Sequence, residues 1–125
     1  MWFASQARTR RALEACGLGT FELDIATGEM AFGRLVRDQL GIAVADHADL
    51  NTLLGCVHDA DRAAVHHAFL RALFEGGDMR LHFRVLGSND VLCHLRARTF
   101  ADADGRPHTL VGVTQRSERL ASQAA

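Results

Sequence analysis

Lysine is absent from this 125-residue chain, and all 14 basic residues are arginine. That uniformity reads as coding composition more than as function. Charge of one sign is lacking too: the net charge is -1, which gives no bulk attraction to nucleic acid or to an anionic membrane. No apolar run approaches the roughly 20 residues needed to cross a bilayer. No signal peptide is expected, because Met1-Trp2-Phe3-Ala4 is too short for an apolar core and Arg8, Arg10 and Arg11 follow it. Cysteine is scarce. Cys16, Cys56 and Cys93 are an odd number without a recognisable spacing, which reads as reduced, mostly buried small apolar residues of a cytoplasmic protein. Internal repeats, low-complexity tracts and linkers are missing, and no two histidines stand at i, i+4 to grip one metal ion on a helix. What remains, 48% hydrophobic and 23% charged residues, is ordinary for one globular domain large enough to bury a single core.

The last third of the chain is the most patterned. Met79, Leu81, Phe83 and Val85 alternate with Arg80, His82 and Arg84. After Gly87-Ser88-Asn89-Asp90, Val91, Cys93, Leu95 and Ala97 alternate with Leu92, His94, Arg96 and Arg98. Asp102-Ala103-Asp104-Gly105-Arg106-Pro107 then turns the chain into Thr109–Thr114. Period-two alternation bounded by turn residues predicts antiparallel strands with one buried face. Upstream, Phe21, Leu23 and Ile25 alternate with Thr20, Glu22 and Asp24, and Ala26-Thr27-Gly28-Glu29 makes a hairpin turn into Met30–Phe32. Helices are expected over Ser5–Cys16, Arg34–Leu40, Asp49–Val57 and, capped by Asp59, up to Phe74. The long helix carries the apolar stripe Val65, Ala68, Phe69, Ala72 and Leu73.

Two strands, helices and three strands assemble into an α+β fold: one five-stranded antiparallel sheet with helices on one face. Residues 1–16 form an N-terminal flanking helix, 17–115 the domain, and 116–125 a tail or the start of an outgoing helix. A ligand would sit between the sheet and the long helix, where sites are concave and mostly apolar. Its expected lining is Phe21, Leu23, Phe32 and Leu35 at one end and Leu54, Val65, His66 and Phe69 on the helices. The C-terminal strands add Leu81, Phe83, Leu95 and Val113.

Several short motifs occur in order: Gly17-Leu18-Gly19-Thr20-Phe21-Glu22-Leu23-Asp24, the turn Ala26-Thr27-Gly28-Glu29, and Val57-His58-Asp59-Ala60-Asp61-Arg62. Phe83-Arg84-Val85 follows, then, after an eight-residue gap, His94-Leu95-Arg96-Ala97-Arg98, Asp104-Gly105-Arg106-Pro107 and Leu110-Val111-Gly112-Val113-Thr114. Over residues 12–119 the chain resembles PAS sensor domains. It departs from them in Ala60, where Pro is frequent, in His94, where Trp is common, and in Arg116-Ser117-Glu118-Arg119, which lacks the acidic first residue of the usual terminal signal.

The resemblance implies a non-enzymatic sensory or interaction module with no catalytic residues, holding a small apolar ligand or none. It would be coupled to an effector such as a histidine kinase or a cyclic-dinucleotide enzyme, or to a separate signalling protein. Some relatives carry haem on an axial histidine of the long helix. Here Val65 aligns with that position and His66 is the nearby candidate, so haem is an alternative and not the expectation. Light-sensing relatives use a cysteine in a Gly-x-Asn-Cys-Arg-type segment, which residues 50–57 lack. His58-Asp59-Ala60-Asp61-Arg62 reads as helix capping plus a local ion pair in place of catalysis. Relatives also dimerise through the N-terminal helix and the sheet's outer face. That makes Trp2, Phe3, Leu13, Leu92, His94 and Phe100 the expected partner surface of a homodimer. A small α+β barrel enzyme or carrier is a further alternative, but the strands at Gly19–Phe32, ahead of the helices, count against it.

Overall fold

The computed structural model describes residues 2–43, 48–88 and 90–118, with side chains from residue 7 onward. The elements run α1 (Trp2–Ala15), β1 (Gly19–Asp24), β2 (Met30–Phe32), α2 (Arg34–Leu40), α3 (Leu50–Leu54), α4 (Asp59–Glu75), β3 (Asp78–Arg84), β4 (Val91–Ala101) and β5 (Pro107–Glu118). The strands form one antiparallel sheet in the order β2-β1-β5-β4-β3. The expected α+β architecture is therefore present. β5 continues through Glu118, paired with β4 at Val91, so residues 116–118 belong to the sheet and not to a tail.

Local chemistry sets the helix ends. Asp49 and Thr52 form a capping box that starts α3, each side chain bonded to the other's backbone N–H. Gly41, at φ 76°, closes α2 by donating to the Arg37 carbonyl. α4 begins one residue earlier than the sequence suggests. Its cap is His58, whose Nδ1 accepts from the Ala60 N–H at 3.1 Å. Asp59 is thus the first helical residue, where it and Asp61 favour the positive end of the helix dipole.

The inner face of the sheet carries the core. Phe21 pairs with Phe32 and Leu81 with Leu95, and Val65, Phe69 and Ala72 of α4 are buried above them. One strand departs from expectation. On β5 the inward residues are Leu110, Gly112 and Thr114, so Val113 lies on the outer face. The cause is local. A Cβ at position 112 would collide with the Phe21 ring, so only glycine admits that ring over the strand. Thr114 meets its burial by donating to Gln39 Oε1 at 2.6 Å. The free edge of β3 is partly covered by residues 56–58: His58 N–H donates to the Arg84 carbonyl and Leu86 N–H to the Cys56 carbonyl, both at 2.9 Å.

Candidate functional site

Most of the side chains expected to line an interior pocket are brought together, but as packed core. Phe21, Leu23, Phe32, Leu54, Val65, Phe69, Phe83 and Leu95 are all buried in one cluster, with Leu81 packed against it. Phe69 crosses the space between α4 and the sheet to stand 6.4 Å, centroid to centroid, from Phe21. Three expected lining residues lie elsewhere. Val113 faces outward. Leu35 is only half-buried, because α2 turns Val36, Gln39 and Leu40 inward. His66 is exposed, beside a cleft between α3 and α4 that Asn51, Leu54 and Arg62 also line. The 100° step between neighbouring helical residues separates it from buried Val65.

That geometry tests the haem alternative directly. The buried side chain at the point where α4 approaches the sheet is Val65, His66 points away from the core, and Phe69 fills the intervening space. These residues do not fit a haem ligated by His66. Among the described residues no group of three or more His, Cys, Asp or Glu side chains could hold a metal ion. Burial pushes the Cys93 thiol up to about 12, with Cys56 adding to the shift, so Cys93 is an inert core residue. Cys56 also packs against the core. Cys16 is the exposed one of the three.

Open space lies outside the core. α1 crosses the outer face of the sheet at β1 and β2 and leaves a cleft of about 540 Å³ beneath it. Thr9, Arg10 and Leu13 form its roof, and Thr20, Glu22, Ala31 and Val111 its floor. A second groove, about 420 Å³, runs along the outer face of β3, β4 and β5 past Arg80, Arg96, Phe100 and Val113. Among the described residues, the expected partner side chains do not make one contiguous patch. Leu13 is half-buried over β1. Leu92 and Phe100, the latter 53% exposed, sit on the same side of β4 but eight residues apart, or about 27 Å. His94 lies between them, exposed, sharing a 2.9 Å hydrogen bond with Ser117 Oγ. The side chains of Trp2 and Phe3 are outside the described residues.

Polar ties join the flanking helix to the domain. The Glu14 carboxylate accepts from the Leu35 N–H at 3.2 Å, and Gln39 Nε2 donates to the Gly17 carbonyl at 3.3 Å. Since Gln39 also receives the Thr114 hydroxyl, one buried amide links the end of α1 to β5. At the far edge Asp61 takes two guanidinium hydrogen bonds from Arg84, at 3.0 and 2.9 Å, and a third from its backbone N–H. The guanidinium bonds, then the backbone bond, hold the Asp61 carboxyl down at about 2. Arg62 reaches the Leu54 and Val57 carbonyls and pairs with Asp59 at 2.9 Å, the local ion pair expected. Sequence reasoning missed the Gln39–Thr114 and Asp61–Arg84 pairs. The signal within reach was Gln39 itself, three residues from Val36 on the buried face of a short helix.

Residues 34–114 match the PAS fold family. The chain belongs to the PAS-fold family. The sensor protein FixL of Bradyrhizobium diazoefficiens is 30% identical over 106 residues, covering 83% of this chain and 21% of that protein. The chain thus spans about a fifth of that relative's length. Two solved PAS-type structures superpose well. The N-terminal domain of a diguanylate cyclase with PAS/PAC sensor from Marinobacter aquaeolei gives a TM-score of 0.70 at 16% identity, covering 78% of this chain and 92% of that one. A sensory box histidine kinase/response regulator from Burkholderia thailandensis gives 0.68 at 18%, covering 89% and 85%. At such identities these neighbours show the PAS fold alone.

Proposed function

We propose that this PAS-fold chain is a non-catalytic sensory and interaction module of a bacterial cytoplasmic signalling protein. In this reading the outer face of the sheet, and not the interior, is the working surface. The observation that carries the reading is the cleft between α1 and the outer face, coupled inward by Glu14 and Gln39. A molecule or chain that changes how α1 lies on β1 would load the Gln39–Thr114 pair, and through it the strand that ends the domain. A signal requires exactly such differential contact with two arrangements. The relatives named above, a sensor protein, a histidine kinase and a diguanylate cyclase, support coupling to an effector of that kind.

The cleft also suits self-association. Arg10 and Glu22 line it together with apolar Leu13, Ala31 and Val111, so one surface carries both charges and apolar area, as a self-complementary interface requires. Sedimentation equilibrium of the full chain tests this. The expected result is a dimer that Leu13→Glu converts to a folded monomer. A monomeric wild-type protein, or a dimer indifferent to Leu13→Glu, contradicts it.

A further inference from the structure

We infer that the β3–β4 half of the outer face docks an acidic, partly apolar segment of a partner protein. The inference deepens the interaction-module reading and uses the part of the outer face that adjoins the α1 cleft, the two meeting at Val111. In the β3–β4 register Arg80 stands directly opposite Arg96. Like charges in that relation oppose folding. Their neighbours are relieved: Arg84 pairs with Asp61 at 2.9 Å and Arg98 lies 3.6 Å from Asp78. Among the described residues neither Arg80 nor Arg96 has a carboxylate within ion-pair distance. The next cross-strand pair, His82 opposite His94 with ring centroids 6.0 Å apart, supplies no negative charge either. Two exposed arginines at opposed strand positions, neither with a carboxylate partner, leave a positive patch that carboxylates would neutralise.

The groove beside the two arginines is closed at one end by the Asp78–Arg98 pair and lined on its other side by exposed Phe100 and half-buried Val111 and Val113. Charge decides between occupants. A two-fold copy of this same face would bring Arg80 and Arg96 against themselves, and α1 of a second copy would add Arg8, Arg10 and Arg11. Nucleic acid is the weaker match. Two unpaired arginines fall well short of the roughly 6–10 phosphate contacts that carry such binding, and the apolar wall offers phosphates nothing. A protein segment with carboxylates on one side and apolar side chains on the other satisfies both walls.

The test titrates the ¹⁵N-labelled chain with a helical peptide bearing a Glu face and a Leu face, with its Lys-for-Glu counterpart, and with an oligouridylate. The Glu peptide is expected to shift the amides of Arg80, Arg96, Phe100, Val111 and Val113, and the Lys peptide to leave them in place. Arg80→Glu is expected to weaken Glu-peptide binding at least tenfold while raising the melting temperature, because it sets opposite charges across the strand pair. Arg96→Gln, which only removes charge, is expected to weaken binding less. The inference is overturned if both peptides shift these amides alike, if the oligouridylate binds more tightly than the Glu peptide, or if neither variant changes the affinity. Sedimentation behaviour is expected to be the same in Arg80→Glu as in wild type, which separates this inference from the α1-cleft dimer.

Discussion

On the inner face of the sheet Phe21, Phe83 and Leu95 are each 2% exposed or less and meet Phe69 of α4 in one packed layer, whereas on the outer face Phe100 is 53% exposed and Arg80 confronts Arg96 across two strands. Both faces belong to alternate residues of the same sheet. The difference teaches where selection for folding stops. Inside, the buried Thr114 hydroxyl is answered by Gln39, while Arg37 Nε, on the helix beside them, is buried without a partner among the described residues. Outside, charge and apolar surface are left unmet, as expected of a surface that meets something else.

The comparison breaks first at the buried Gln39–Thr114 pair. Thr114→Val keeps the shape of the side chain but leaves Gln39 Oε1 without its donor. The expected cost is about 1–3 kcal/mol, read by chemical denaturation. Because Gln39 also donates to the Gly17 carbonyl, faster amide exchange at the end of α1 is expected with it. A loss below about 0.5 kcal/mol, the level of an ordinary surface change, would place the pair outside the structural core.

A smaller effect sharpens the edge between the faces. Asp61 has its pKa depressed in the folded chain, from an ordinary 3.8 to about 2. A depressed carboxyl stabilises the fold above its unfolded pKa, and that contribution is lost as pH falls through the folded value. The melting temperature of the wild type is therefore expected to fall more steeply between pH 4 and pH 2 than that of Asp61→Asn. Parallel curves would remove the Arg84 bond from the acid response.

Much of this was legible in the sequence, and the failures have local causes. The succession of strands along the chain and the burial of Phe21, Leu23, Phe83 and Leu95 followed from alternation and turn chemistry. β5 did not, because its inward side reads Leu110, Gly112, Thr114 and its outward side Val111, Val113. Hydropathy alone inverts such a strand, since the glycine is needed for the Phe21 ring and the threonine is satisfied by a glutamine 75 positions away in sequence. The interior pocket was over-read for a related reason. Apolar lining and apolar core have one pattern, and only the placement of Phe69 against Phe21 distinguishes them. The outer-face arginines were visible, but the unmet pair required the register of β3 on β4, and the Asp61–Arg84 bond required α4 to begin beside the β3 edge.

The two faces of β5 are compared most directly by thermal melts of Leu110→Glu and Val113→Glu, followed by far-ultraviolet circular dichroism. Leu110 is fully buried on the inner face and Val113 half-buried on the outer face beside Arg96. The prediction is an unfolded Leu110→Glu and a Val113→Glu that melts within a few degrees of wild type. A Val113→Glu that fails to fold while Leu110→Glu is tolerated would contradict it.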